Sequence, residues 1–122
     1  MIKVLLVDDS AIVRKSIKST LDKQSEIQVI GECIDGKEVI PFLQHIKPDV
    51  ILMDNNMPIL NGVETTRLVK KKFPEIKIIG FSCDDSICSR KEFLESGADE
   101  FLSKFATDRL TLINIIILNS KE

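Results

Sequence analysis

The chain has 122 residues, of which 43% are hydrophobic and 30% charged, and its formal net charge at pH 7 is −2. This length suits one domain with a single core, and the balanced charge excludes the basic footprint of a nucleic-acid-binding domain. No apolar stretch approaches the roughly 18 residues of a membrane span, and acids at positions 8 and 9 interrupt the N-terminal apolar run of a would-be signal peptide. We therefore expect a cytoplasmic globular domain with no direct contact to membranes or nucleic acids.

Five short segments rich in β-branched residues are predicted to be strands. They span residues 2–7, 27–33, 49–53, 76–81 and 100–102. The first and third are apolar almost throughout, which favours central positions buried on both faces of a sheet.

Segments with helical spacing of apolar residues follow each strand. The predicted helices begin near Ser10, Gly36, Gly62, Asp84 and Thr107, and the last two end near Gly97 and Asn119. Pro41 is compatible with the second helix only within its first turn.

The alternation of strands and helices predicts an α/β fold, with a parallel sheet covered on both faces. Right-handed crossovers favour a flavodoxin-like, doubly wound (βα)5 three-layer sandwich with strand order 2-1-3-4-5.

Polar residues follow the predicted strands at the sheet edge where such folds bind ligands. Asp8 and Asp9 follow the first strand, Asp54 the third, Ser82 the fourth and Lys104 the fifth. Because the first and third strands are neighbours, the three carboxylates are expected to meet. Crowded carboxylates repel unless a cation holds them, and hard oxygen ligands favour Mg²⁺. The lysine and the hydroxyl suit a phosphoryl group.

Each of these residues alone has an ordinary explanation as a helix cap or a solvated surface group. Their occurrence at the same end of successive strands is what favours a binding site. By contrast, the three cysteines and the single histidine, His45, have no metal-site spacing. We interpret the cysteines as structural or incidental, and His45 as a surface residue.

Four segments in order resemble the receiver domain of two-component response regulators, and the resemblance covers the whole chain. They are VLLVDDS (4–10), LMDNNMPILNG (52–62), IIGFS (78–82) and SGADEFLSK (96–104). The second matches the family's phosphoacceptor pattern D-x-x-M-P-x-x-x-G, and the fourth matches G-A-x-x-(F/Y)-x-x-K. The resemblance implies one receiver domain over residues 1–122.

The resemblance also implies a role for each matching residue. Asp54 would be the phosphoacceptor and, with Asp9, a direct Mg²⁺ ligand. Asp8 would hold the ion largely through water, and Asn56 would offer its backbone carbonyl. The implied donor is a sensor histidine kinase or a phosphotransfer protein, and the chain would catalyse only its own phosphorylation and slow dephosphorylation.

The remaining matches imply a conformational switch. Ser82 and Lys104 would contact the phosphoryl oxygens, and Phe101 would turn inward into the space that Ser82 leaves. The chain departs from the family pattern at Phe105, where a proline with a cis bond is usual, and at Cys83, where a smaller residue is usual.

The implied output surface comprises the fourth helix, the fifth strand and the fifth helix. The fifth helix is apolar nearly all round, which predicts burial on two sides. We expect the sheet to cover Leu110, Ile113 and Ile117, and a homodimer or an appended domain to cover Leu112, Ile115 and Ile116.

Two other functions remain open. One is a pseudo-receiver that is never phosphorylated and acts as a protein-interaction module. The other is a metal-dependent phosphatase or nucleotide-binding enzyme, although no G-x-G-x-x-G or Walker loop follows the first strand. The sequence also leaves open the cognate kinase and whether a DNA-binding domain follows Glu122.

Overall fold

The computed structural model describes residues 1–120. Its strands are β1 (Ile2–Val7), β2 (Ile27–Cys33), β3 (Val50–Met53), β4 (Lys77–Ser82) and β5 (Glu100–Ser103). Its α-helices are α1 (Ala11–Asp22), α2 (Val39–Leu43), α3 (Gly62–Lys72), α4 (Ile87–Ser96) and α5 (Arg109–Ser120), and one 3₁₀ turn, Gly36–Glu38, precedes α2. No helix in residues 1–120 combines the length and the apolar character needed to cross a bilayer.

The five strands form one parallel sheet in the order β2-β1-β3-β4-β5, which confirms the predicted fold. All four residues of β3 are buried, as are the last four of β1, which explains their continuous apolar sequences. Both strands have neighbours on each side and helices above and below.

Alternating side chains of the central strands point to opposite faces of the sheet and supply two core layers. Leu5 and Ile51 belong to the layer that α2, α3 and α4 cover. Val4 and Val50 belong to the layer that α1 and α5 cover. The chain therefore forms a three-layer sandwich.

The parallel register aligns the carboxyl ends of the central strands. Val7 of β1 pairs with Met53 of β3, and the next amide, that of Asp54, donates a hydrogen bond of 2.9 Å to the Val7 carbonyl. The ladder therefore continues one residue past the strands and fixes Asp54 beside Asp8.

Two helices begin later than the sequence predicted. Helix α4 begins at Ile87, because the Ser86 hydroxyl accepts a hydrogen bond from the Ser89 amide and caps it. Helix α5 begins at Arg109, and the Asp108 carboxylate accepts a hydrogen bond from the Thr111 amide. In both cases a local N-cap closer to the apolar residues decided the start.

Pro41 lies within the first turn of α2, where its missing N–H has no helical acceptor to lose. The helix has five residues and continues from the 3₁₀ turn. Pro41 therefore lies where the sequence analysis requires it to lie.

The predicted orientation of α5 is correct for Ile113 but wrong for Leu110, Leu112 and Ile116. The buried residues that pack on the sheet are Leu112, Ile113 and Ile116. Leu110 and Leu118 are exposed, and Ile115 and Ile117 are partly buried against the same core layer. A helix that is apolar all round has no single apolar face that would identify its buried side. The packing of α5 against β3 and β4 therefore determines which residues are buried.

Candidate functional site

The structure brings three carboxylates together at the carboxyl end of the sheet. One oxygen each from Asp8, Asp9 and Asp54 lies within 4.8 Å of the others. Asp8 and Asp54 are each 4% exposed, whereas Asp9 is exposed. Two of the acids are therefore held inside the fold and the third faces solvent.

Lys104 connects the two buried acids. Its Nζ donates hydrogen bonds to Asp8 Oδ2 at 2.6 Å and to Asp54 Oδ1 at 3.1 Å. The Lys104 amide donates to the Ser82 carbonyl at 2.9 Å, which anchors the lysine at the end of β5. The peptide bond to Phe105 is trans, like every other in residues 1–120.

The charges of this cluster do not balance. Burial raises the pKa of Asp54, and the negative charges of Asp8 and Asp9 raise it further, while Lys104 opposes them. Burial lowers the pKa of Lys104, but its hydrogen bonds and its attraction to the two acids outweigh burial, so this pKa is raised. If all three carboxylates are ionised, one ammonium leaves two negative charges uncompensated.

The donor set fits a divalent ion with hard oxygen ligands. Mg²⁺ prefers one or two carboxylates together with water and phosphate oxygens. Both Asp8 oxygens already accept hydrogen bonds, one from the Ser10 amide and one from Lys104. Among the residues described, no hydrogen bond occupies the Asp9 carboxylate or Asp54 Oδ2, so these oxygens are free to face an ion.

The loop after β3 is fixed around Asn55. The Asn55 side-chain oxygen accepts a hydrogen bond from the Val63 amide at 3.1 Å, and its carbonyl accepts from the amides of Met57 and Gly62. A side chain on Gly62 would overlap the Asp54 carbonyl. The glycine of the D-x-x-M-P-x-x-x-G pattern is therefore required for close packing of α3 on the Asp54 segment.

Asn56 lies exposed in this loop, two residues after Asp54. The sequence analysis named Asn56 but missed two residues that hold the backbone of the site, Asn55 and Arg14. The Arg14 guanidinium donates a hydrogen bond to the Asp8 carbonyl at 2.6 Å and forms an ion pair with Glu32. The position of Arg14, one turn into the helix that follows Asp8 and Asp9, is the feature of the sequence that could have identified it.

Ser82 and Phe101 both lie inside the fold. The Ser82 side chain is fully buried, and its Oγ accepts a hydrogen bond from the Asp84 amide at 3.2 Å. Phe101 is 1% exposed, so its ring already has the inward position that the sequence analysis assigned to the phosphorylated form. Cys83 is exposed beside Ser82.

A cavity of about 380 Å³ opens beside the cluster, between α1 and the start of α5. Its wall is mainly apolar and includes Ile12, Phe105 and Leu112. Lys104, which contacts Asp8 and Asp54, also lines the cavity. Ile12 and Phe105 are both strongly exposed.

Comparison with known proteins gives one consistent result. The family model described as "Response regulator receiver domain" matches residues 4–116. The response regulator protein VraR of Staphylococcus aureus (strain Mu3) is 43% identical over 106 residues, which are 84% of this chain and 49% of VraR. The chain thus spans about half the length of the curated relatives it matches.

Solved structures agree with this result. The response regulator domain of Thermotoga maritima CheB has a TM-score of 0.90 and 34% identity, covering 98% of this chain and 96% of that one. The receiver domain of the Francisella response regulator 1452 has a TM-score of 0.88 and 28% identity, with coverages of 98% and 97%.

Proposed function

The chain belongs to the response regulator receiver domain family, and from that premise we propose that it accepts a phosphoryl group on Asp54 in a Mg²⁺-dependent reaction. The donor is a phosphohistidine of a sensor histidine kinase or of a phosphotransfer protein. The observation that carries the proposal is the convergence of Asp8, Asp9 and Asp54 within 4.8 Å, with Lys104 bridging two of them.

The transfer exchanges one bond for another. A carboxylate oxygen of Asp54 forms the new P–O bond, the P–N bond to the donor imidazole breaks, and the electron pair stays on the imidazole nitrogen, which takes a proton. The role of the chain is to position the carboxylate in line and to neutralise charge. Lys104 supplies one positive charge next to Asp54.

Asp9, Asp54 and the Asn56 carbonyl are the groups we assign to the ion, with Asp8 acting through water. The hydrogen bonds on both Asp8 oxygens support that division. When bound, Mg²⁺ supplies positive charge to the phosphoryl oxygens. Asp54 is the nucleophile throughout, and its nearly complete burial limits the access of water to the acyl phosphate.

The switch uses Ser82, Lys104 and Phe101. Moving a two-state equilibrium from about 1:99 to 99:1 requires roughly 5.5 kcal/mol of differential binding. Two or three hydrogen bonds to a charged group, at about 1.5 to 3 kcal/mol each, supply this amount. Because Phe101 is already inward, the switch needs less than this full reversal, and phosphorylation acts by strengthening the inward position through Ser82.

The cavity between α1 and α5 is the surface we assign to the phosphohistidine donor. It adjoins Lys104, so a helix seated there can present a histidine to the carboxylate cluster. The strongly exposed Ile12 and Phe105 offer apolar contacts to that helix.

The surface formed by α4, β5 and α5 is proposed to carry the output, through a second copy of the chain or an output domain. Exposed Leu110 and Leu118 on α5 support contact with a second copy. Sedimentation velocity after treatment with acetyl phosphate is expected to show a dimer that Leu118→Glu weakens. A sample that stays monomeric at high concentration contradicts the homodimer.

The test of the main proposal is incubation with acetyl phosphate and Mg²⁺, followed by intact-mass measurement. The wild-type chain is expected to gain one phosphoryl group, and Asp54→Ala is expected to gain none. Omission of Mg²⁺ is the second control.

Other results point to other functions. A wild-type chain that gains no mass, although it binds Mg²⁺, supports the pseudo-receiver. Continuous release of phosphate from free phosphate esters supports the metal-dependent phosphatase.

A further inference from the structure

Gly80 of β4 and Phe93 of α4 bound the space that the inward Phe101 ring occupies. Gly80 lies opposite Phe101 in the register of β4 and β5. A Cβ on Gly80 would lie 3.1 Å from the Phe101 ring and 2.9 Å from the Phe93 ring. The Phe93 and Phe101 ring centroids are 5.5 Å apart at an interplanar angle of 46°. The absent side chain of Gly80 therefore leaves the space that Phe101 occupies.

Arg90 of α4 provides a third contact to this aromatic side chain. The central guanidinium carbon of Arg90 lies 5.1 Å from the centroid of the Phe101 ring. Its Nη1 lies 3.5 Å from the Phe101 carbonyl. One side chain of α4 thus contacts both the ring and the backbone of the residue assigned to the switch.

No acid among residues 1–120 forms an ion pair with this guanidinium. The helical neighbours of Arg90 three and four residues away are Ser86, Ile87, Phe93 and Leu94, none of which carries a charge. In residues 1–120 Arg90 makes no ion pair, whereas the adjacent Lys91 lies 3.8 Å from Glu95. The partner of the Arg90 charge is therefore the Phe101 ring, with which it forms a cation–π contact.

We propose that Arg90 is a positioning residue that holds Phe101 in its inward position and links that position to the outer face of α4. Arg90 also lines a shallow groove of about 440 Å³ on α4, together with Ile87, Lys91 and Leu94. An outward turn of Phe101 breaks the Arg90 contact, so the state of the ring changes the groove. The importance of this link for signalling rests on the proposed function, but the contact itself does not.

The absence of tyrosine and tryptophan from the chain permits a direct test. In Phe101→Tyr, the only tyrosine reports its own exposure through the quenching of its fluorescence by acrylamide. The addition of Arg90→Leu is expected to raise the outward-to-inward ratio about two- to fivefold, the effect of losing one exposed cation–π contact. Arg90→Lys is expected to retain part of the protection.

Lys91→Leu is the matched control, because it removes the adjacent cation, which lies beside Glu95, while the cation over the Phe101 ring is that of Arg90. Equal quenching in the parent and Arg90→Leu overturns the proposal, and so does an equal increase in Arg90→Leu and Lys91→Leu. Thermal unfolding of each variant separates a local change at residue 101 from a loss of global stability.

A second measurement keeps the native ring. In fluorophenylalanine-labelled protein, the ¹⁹F signal of Phe101 is assigned by its loss in Phe101→Leu. Saturation-transfer exchange is expected to show a larger minor state in Arg90→Leu than in Lys91→Leu, and the same minor state in both contradicts the proposal. Neither measurement uses Mg²⁺ or acetyl phosphate, so failure of phosphorylation at Asp54 leaves these results unchanged.

Discussion

At the scale of single residues, the backbone of the candidate site depends on Gly62. A Cβ there would overlap the Asp54 carbonyl. Alanine has a better helix propensity than glycine. A loss of stability in Gly62→Ala could therefore not come from the propensity of α3 itself.

We therefore expect Gly62→Ala to destabilise the fold by about 1 to 3 kcal/mol, the usual cost of overpacking. It is also expected to lower the yield of phosphorylation, because the Asp54 segment has to move. Urea unfolding and intact mass measure the two effects. Arg67→Ala, an exposed position in the same helix, is the control, and equal behaviour of both variants would count against the steric argument.

Cys33 differs from the other two cysteines in its surroundings. Burial raises its pKa to about 12, and the nearby charges of Glu38 and Asp35 add to the effect. Cys83 and Cys88 are exposed. Since the thiolate is the reactive form, iodoacetamide at pH 8 is expected to alkylate two thiols quickly and the third only on unfolding, as counted by intact mass.

The same shift gives a pH dependence with a definite sign. The Cys33 thiol ionises less readily in the folded chain than in the unfolded one, whose ordinary pKa is 9.0. Its contribution to stability is complete below pH 9 and is lost as the pH rises toward 12, by roughly 1.4 kcal/mol per pH unit. In urea unfolding, the free energy of unfolding of Cys33→Ala is expected to fall less steeply between pH 9 and 12 than that of the wild-type chain. An equal fall in both would refute the raised pKa of Cys33.

At the scale of elements, the connection from β3 to α3 contains strained backbone. Ile59 has a φ of 69°, which a β-branched residue rarely adopts. The Leu60 amide donates to the Pro58 carbonyl at 2.7 Å, so Ile59 is the centre of a three-residue turn. Its side chain is exposed and gains little from packing.

Replacing Ile59 by glycine is therefore expected to raise the free energy of unfolding by about 0.5 to 1 kcal/mol. The relief of left-handed strain, about 1 to 2 kcal/mol, exceeds the entropy that glycine adds to the unfolded chain. Ile59→Ala keeps a Cβ and is expected to gain much less. Equal stability of the two variants in urea would show that the turn is not strained.

At the scale of the whole molecule, the sheet topology places charge where it opposes folding. Asp54 has a raised pKa, so it ionises less readily in the folded chain, and its contribution to stability is lost as the pH rises past the ordinary value of 3.8. Without metal, ionisation of Asp54 therefore destabilises the fold.

Asp54→Asn is expected to raise the melting temperature in the absence of Mg²⁺, because it removes one buried charge at nearly constant shape. In the wild-type chain, Mg²⁺ at about 100 times its Kd is expected to add about 2.7 kcal/mol, and in Asp54→Asn a smaller amount. Calorimetry with and without Mg²⁺ measures both. A wild-type chain indifferent to the metal would exclude a Mg²⁺ site.

The sequence by itself determined the topology and the location of the site. Alternating strands and helices with continuous apolar runs at 4–7 and 50–53 allow few folds besides a parallel sheet with β1 and β3 at its centre. Once that order is fixed, residues that follow the strands must meet at one edge. The grouping of Asp8, Asp9 and Asp54 therefore follows from local pattern alone.

Only the tertiary structure decided the features that depend on contacts between elements. The buried face of α5 could not be read from a helix that is apolar all round, and docking placed Leu112, Ile113 and Ile116 on the sheet. The inward position of Phe101 depends on the space beside Gly80 and on Arg90. These residues lie up to 21 positions apart in the chain, so no local periodicity encodes their meeting, and packing alone brings them together.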